Sequence, residues 1–172
     1  KYINNYKGNT KYIIAPHEIV KNSERIKKYL GSKSILFSKI NSNTDLKEFS
    51  CLIIDNIGML SSLYSYGTIA YVGGGMGTKG LHNTLEPAYF SKPIIIGKNY
   101  KGYDEAEKMI KNGNMISISN YSDFTNALES IINNKKLIKE MSDKCTKFFD
   151  KNKGGVQLIL NNLNDLSNQK FD

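Results

Sequence analysis

The chain has 172 residues, 40% of them hydrophobic, which is enough to bury one sizeable core, and no apolar run approaches the ~20 residues that a membrane-crossing helix needs. Lys and Arg number 24 against 16 Asp and Glu, and the resulting net charge of +8 favours anionic partners. No aromatic-basic interleaving or recognition helix accompanies that charge, so nucleic acid is not an expected partner.

Taken in order, the chain opens on a hydrophilic segment (residues 1–11) with no initiator Met, and a fragment of a longer protein is expected. Residues 11–15 (Lys-Tyr-Ile-Ile-Ala) form an apolar run ending at Pro16, the pattern of a buried strand followed by a turn. A helix is predicted over residues 19–30, closed by Gly31. Strands are predicted over 34–38 and 51–55, the second ending in Asp55-Asn56-Ile57-Gly58, and a short helix over 59–66. Residues 68–72 are a fourth strand, which stops in the glycines of Gly73-Gly74-Gly75-Met76-Gly77-Thr78-Lys79-Gly80 before a helix over 83–90. A strand over 93–97, a helix over 104–111 stopped by Asn112-Gly113, and a strand over 115–118 follow. Ser122 and Asp123 are expected to cap a helix running to Ile132, and from Lys135 the pattern is helical to the end, broken at Gly154-Gly155.

Fully apolar five-residue runs alternating with helices predict an α/β fold, a parallel sheet covered on both faces, organised as a single domain over residues 1–172. The densest basic run, Lys135, Lys136, Lys139, Lys144, Lys147, Lys151 and Lys153, is interrupted by Glu140, Asp143 and Asp150, so it reads as a solvated helix face. Cys51 and Cys145 form no spacing motif and fit reduced, structural thiols of a cytoplasmic protein.

Ligands of open parallel sheets bind beyond the carboxyl ends of the strands. That rule selects Pro16-His17-Glu18, the loop at 55–59, the loop at 73–83 and the loop at 97–103. Five glycines followed by a helix are the chemistry of an anion site, because a backbone without side chains approaches a ligand closely and a helix start offers unpaired N–H groups. Gly75-Met76-Gly77-Thr78-Lys79-Gly80 matches the dinucleotide fingerprint literally, but the next strand ends in Ile96-Gly97 and supplies no acid for a ribose. A phosphate-cradling Walker loop is excluded, because no Gly-Lys-Ser/Thr follows the glycines.

His17 and His82 are the only histidines, too few for a metal site without an acid or Cys cluster at ligand spacing. Asn83 and Glu86 stand one helical turn apart and project on one face; Asn83 alone reads as an N-cap and Glu86 as a first-turn acid, but their place beside the glycines favours binding of hydroxyls. Asp55 at a strand end reads equally as a loop cap or a site residue.

Together these residues resemble a known family. Ile14-Ala15-Pro16-His17-Glu18-Ile19, Leu52-Ile53-Ile54-Asp55-Asn56-Ile57-Gly58, Leu60-Ser61-Ser62-Leu63-Tyr64, Ala70-Tyr71-Val72-Gly73-Gly74-Gly75, His82-Asn83-x-x-Glu86 and Gly97-Lys98-Asn99-Tyr100-Lys101 are similar to the C-terminal domain of the 3-deoxy-D-manno-octulosonic acid (Kdo) transferases, over about residues 12–132. The resemblance implies a Rossmann-like three-layer sandwich, the C-terminal half of a GT-B glycosyltransferase. It implies transfer of Kdo from CMP-Kdo to a lipid A precursor at the cytoplasmic face of the inner membrane, with inversion and with no metal or other cofactor. The full-length protein would associate peripherally with that membrane, while the fragment itself would be soluble.

On the same resemblance, Pro16 and His17 border the donor nucleotide, Gly58 and Met59 offer main-chain contacts on the phosphate side, and Asn83 with Glu86 holds phosphate and ribose hydroxyls, with Gly74, Gly75 and His82 beside them. No catalytic base is expected in this chain; in the family it is a carboxylate of the N-terminal, acceptor-binding domain. Two departures stand out: His17-Glu18 occupies a place where many members have an Arg next to the Pro, and nothing before Lys11 supplies the Gly-Ser-rich first strand. The other readings kept are a UDP-sugar transferase or 2-epimerase of the same fold, and a non-catalytic nucleotide-binding domain.

Overall fold

The computed structural model describes residues 1–6, 8–152 and 163, which fall into two compact units, residues 1–66 and 67–172.

The first unit holds α1 (Tyr2–Asn5), β1 (Tyr12–Ile14), α2 (Ile19–Leu30), β2 (Ser34–Leu36), β3 (Cys51–Ile53) and α3 (Leu60–Leu63). Its three strands are parallel in the order β1-β3-β2, with Tyr12 and Ser34 both in register with Cys51. The predicted bounds of α2 hold at both ends. Gly31 stops the helix at a positive φ of 63° that a side chain would disfavour, and its N–H closes the last turn on the Lys27 carbonyl. Apolar residues of α2 and of all three strands then share one core of Leu30, Leu36, Cys51 and Ile53, with Ile14 and Ile26 against it.

α1 was not expected in a segment that reads as hydrophilic. Its cause is aromatic: Tyr2 stacks on Tyr6 at 5.4 Å, and both meet Tyr12 edge-on at 6.5 and 6.2 Å. Burial among these rings raises the Tyr12 phenol well above its ordinary range.

The second unit holds β4 (Ala70–Val72), α4 (Leu85–Tyr89), β5 (Ile94–Gly97), α5 (Asp104–Asn112), β6 (Met115–Ile118), α6 (Tyr121–Ile132) and α7 (Lys135–Asn152). The strands are again parallel, β4-β5-β6, with Ala70 facing Ile94 and Ile94 facing Met115. β5 is central, and Ile94, Ile95 and Ile96 are each 0% exposed, as a strand covered on both faces requires. β1 differs: it is an edge strand, and Ile13 is 44% exposed. Gly113 ends α5 in the left-handed conformation at φ 75°, as the Asn112-Gly113 stop predicts.

One cap differs from expectation. Asn120, not Ser122, accepts the Asp123 N–H at 2.9 Å, while the Asp123 carboxylate accepts the Ser119 N–H at 2.9 Å, so Asn120 and Asp123 satisfy the helix start between them. The basic run lies on α7 as the solvated face predicted, with Lys136–Glu140 at 4.0 Å and Lys139–Asp143 at 3.0 Å one turn apart and exposed. Lys153 and the break at Gly154-Gly155 lie outside the described residues. Both thiols are free and buried. Burial pushes Cys51 up to about 12 and raises Cys145 too, against a smaller opposing hydrogen bond from Asn114.

Candidate functional site

In the first unit, the loops after β1 and β3 carry Pro16-His17 and Gly58-Met59. Parallel pairing of β1 with β3 makes both loops leave the same, carboxyl, edge of that sheet. Gly58 has a φ of 94° and open space where a side chain would stand, so its glycine answers a backbone need. Asn56 Nδ2 lies 2.9 Å from the Met59 sulfur, which ties the turn across its own mouth. Asp55 takes the capping role of its two readings. Its carboxylate accepts the backbone N–H and the hydroxyl of Ser38, lacing the end of β3 to the segment after β2.

Burial works to raise the Asp55 pKa, but the Ser38 hydrogen bonds, a bond from its own backbone and the nearby Lys39 charge outweigh it and hold the carboxyl below its ordinary 3.8. Since the folded value is the lower one, the stability this carboxylate contributes is present above pH 3.8 and is lost as pH falls through the folded value. Ser38→Ala is expected to move the Asp55 titration, followed by carboxyl NMR, part of the way back up, since the backbone N–H of residue 38 still donates.

In the second unit, β4 and β5 are parallel neighbours, so the loops at 73–84 and 98–103 share an edge. The first is a compact, self-packed loop. The His82 N–H returns to the Gly73 carbonyl at 3.1 Å and the Gly77 N–H to the Gly74 carbonyl at 3.3 Å. A Cβ on Gly74 would overlap the Gly80 carbonyl and meet the His82 ring at 3.0 Å, so the imidazole lies over Gly73 and Gly74. Gly75 packs backbone to backbone on Gly97, and the Asn99 N–H donates to the Gly75 carbonyl at 2.8 Å. The glycines expected to admit a ligand therefore first admit one another.

The Tyr103 hydroxyl accepts the N–H of buried Leu81 at 3.1 Å, pinning the loop's far end. Tyr103→Phe leaves that amide unpaired and is expected to cost about 1–2 kcal/mol, read as a lowered thermal unfolding midpoint.

Beyond the loop, α4 has five residues and begins at Leu85 rather than Asn83. Asn83 spends its Oδ1 on the Leu85 N–H at 2.9 Å, so it caps from one position further out, and one N–H of its Nδ2 goes to Glu86 Oε1 at 3.1 Å. This leaves the second Nδ2 hydrogen and Glu86 Oε2 for a ligand, with His82 and Asn83 exposed and Glu86 half-buried. A helix of one turn carries little dipole, so an anion here relies on amides and side chains more than the sequence suggests. The edge thus unites Gly74, Gly75, His82, Asn83 and Glu86, and adds two residues of the loop at 97–103 to which the sequence motifs gave no site role, Asn99 and Tyr103. No cluster of three or more His, Cys, Asp or Glu able to hold a metal ion occurs among the described residues, and no described helix is long and apolar enough to cross a membrane.

No protein-family profile matches the chain. It is 34% identical over 141 residues to the 3-deoxy-D-manno-octulosonic acid transferase of Rickettsia typhi, covering 78% of this chain and 30% of that protein. It is 30% identical over 132 residues to the enzyme of the same name from Aquifex aeolicus, covering 75% of this chain and 35% of that one. A bifunctional glycosyltransferase/methyltransferase of Fusobacterium nucleatum is 30% identical over 139 residues, 76% of this chain and 21% of that protein. The resemblance to Kdo transferases therefore stands, and the chain spans about a third or less of the length of these relatives. In fold, it matches the crystal structure of the C-terminal CMP-Kdo binding domain of WaaA from Acinetobacter baumannii with a TM-score of 0.70 at 17% identity, over 80% of this chain and 72% of that one. The fold is the expected Rossmann-like α/β class of that domain, the C-terminal half of a GT-B architecture.

Proposed function

We propose that this chain is the donor-binding part of a glycosyltransferase that moves Kdo from CMP-Kdo to a lipid A precursor, releasing CMP. One observation carries the reading: Asn83 and Glu86, hydrogen-bonded to each other, close a glycine loop on the carboxyl edge of a parallel sheet, in a chain similar to Kdo transferases over 78% of its length. Glu86 is a carboxylate and suits ribose hydroxyls, which it accepts; Asn83 has a spare N–H and suits a phosphate oxygen. His82, Gly74 and Gly75 border the same ligand; contacts of Pro16, His17, Gly58 and Met59 with the donor rest on the resemblance to Kdo transferases alone.

In the reaction, the bond from the sugar's anomeric carbon to the phosphate oxygen breaks, and the electron pair leaves with CMP. Hydrogen-bond donors aimed at that phosphate stabilise the charge it gains. The acceptor hydroxyl attacks the anomeric carbon and gives its proton to a base. That base is a carboxylate of an acceptor-binding domain beyond these 172 residues, and because the acceptor is a membrane lipid, the whole protein works peripherally at the cytoplasmic face of the inner membrane of a Gram-negative bacterium.

The test is release of CMP from CMP-Kdo by the complete protein with a lipid A precursor, together with nucleotide titrations. CMP is expected to bind more tightly than UDP. Tighter binding of UDP overturns the donor assignment in favour of a UDP-sugar enzyme, and turnover by residues 1–172 alone overturns the placement of the base.

A further inference from the structure

One side chain of the second loop does more than its own turn requires. Asn99, two residues past β5 and exposed, places both of its donors on the glycine loop: its backbone N–H meets the Gly75 carbonyl and its Nδ2 the Gly77 carbonyl, each at 2.8 Å. A trans peptide unit is planar, with its N–H pointing opposite to its carbonyl. Drawing the Gly75 and Gly77 carbonyls toward Asn99 therefore turns the N–H groups of Met76 and Thr78 the other way, and neither donates to a described residue. The intervening Gly77 N–H is already committed to the Gly74 carbonyl at 3.3 Å. Glycines have no side chains with which to hold peptide planes in place, so the direction of these amides depends on the partner of the carbonyls. Two backbone N–H groups held on one side of a turn offer an anion a pair of donors, in the way that oriented backbone amides elsewhere form anion sites.

We propose that Asn99 is a positioning residue for the donor's phosphate, its side chain aiming the Thr78 amide at it beside the Met76 amide, which the backbone N–H of residue 99 holds; the inference rests on the donor-site reading above. Asn99 itself does not touch the phosphate. Its contribution is that the loop need not be ordered when the ligand arrives, which otherwise subtracts from affinity.

The experiment is a calorimetric titration of the complete protein with CMP and, separately, with cytidine, which has the base and ribose but no phosphate. Asn99→Ala is expected to weaken CMP about tenfold and to leave cytidine within twofold. Asn99→Asp, which keeps the size and the backbone bond but sets an acceptor against the Gly77 carbonyl, is expected to weaken CMP at least as much. In the wild-type protein, CMP moves the Met76 and Thr78 amide resonances and cytidine does not. Equal losses for CMP and cytidine in either variant mean a merely structural role and overturn the proposal, as do an unchanged CMP affinity or amide resonances that stay put. If the wild-type protein binds cytidine and CMP not at all, the donor-site reading fails and this one with it, whereas wild-type binding with unaffected variants sinks this proposal alone.

Discussion

Gly97→Ala is expected to destabilise the second unit by about 3 kcal/mol or more, measured by chemical denaturation. Gly97 is the last residue of the fully buried central strand β5, and a Cβ there would overlap the Gly75 carbonyl group and the Met76 nitrogen. All three atoms are backbone, so no rotamer change relieves the overlap. The loop has little room to retreat, because the Gly75 carbonyl is bonded to the Asn99 N–H and β5 is hydrogen-bonded on both sides. The companion substitution Gly77→Ala sets the scale: Gly77 has no positive φ, and a Cβ there meets nothing within 4 Å. It is expected to be neutral or to stabilise by about 0.5 kcal/mol through the unfolded chain. Equal effects of the two would show that glycine content, and not backbone packing at Gly97, governs this loop.

Glu86 separates structure from binding. Glu86→Gln keeps an oxygen for the Asn83 amide but loses the charge, and Glu86→Ala loses both. A hydrogen bond to a charged group is worth about 1.5–3 kcal/mol, so the donor KM of the complete protein is expected to rise roughly tenfold for Gln and toward a hundredfold for Ala. Stability should change by no more than about 1 kcal/mol in either variant, since the side chain is half-buried and its one hydrogen bond among the described residues is to exposed Asn83. Unchanged transfer by Glu86→Ala would remove this residue from the donor site.

Much of the fold is legible before any coordinate. Leu30-Gly31 and Asn112-Gly113 end their helices as written, because a stop signal acts through the conformation of one residue, and Pro-Ile-Ile-Ile-Gly is a buried strand because nothing in it tolerates water. What sequence hides is pairing at a distance. Nothing local in Gly75 announces that Gly97, 22 positions on, needs its space, or that Asn99 serves Gly77 rather than its own loop. The glycine stretch therefore reads as ligand chemistry when part of its glycine content answers to packing. The same blindness misplaced the start of α6, where Asn120 and Ser122 are equally good caps until the chain's approach selects one. It also missed α1, whose cause lies in three rings brought together by folding.

The burial of Cys51 and Cys145 has a practical side. Both thiols are shut away and held in the unreactive protonated form, so the native protein offers maleimide reagents no accessible target among these 172 residues. A single Gly77→Cys substitution, placed in open space on the glycine loop, would then be the one site within residues 1–172 to take a fluorophore. Its emission is expected to change on addition of CMP, turning the glycine loop into its own reporter of nucleotide arrival.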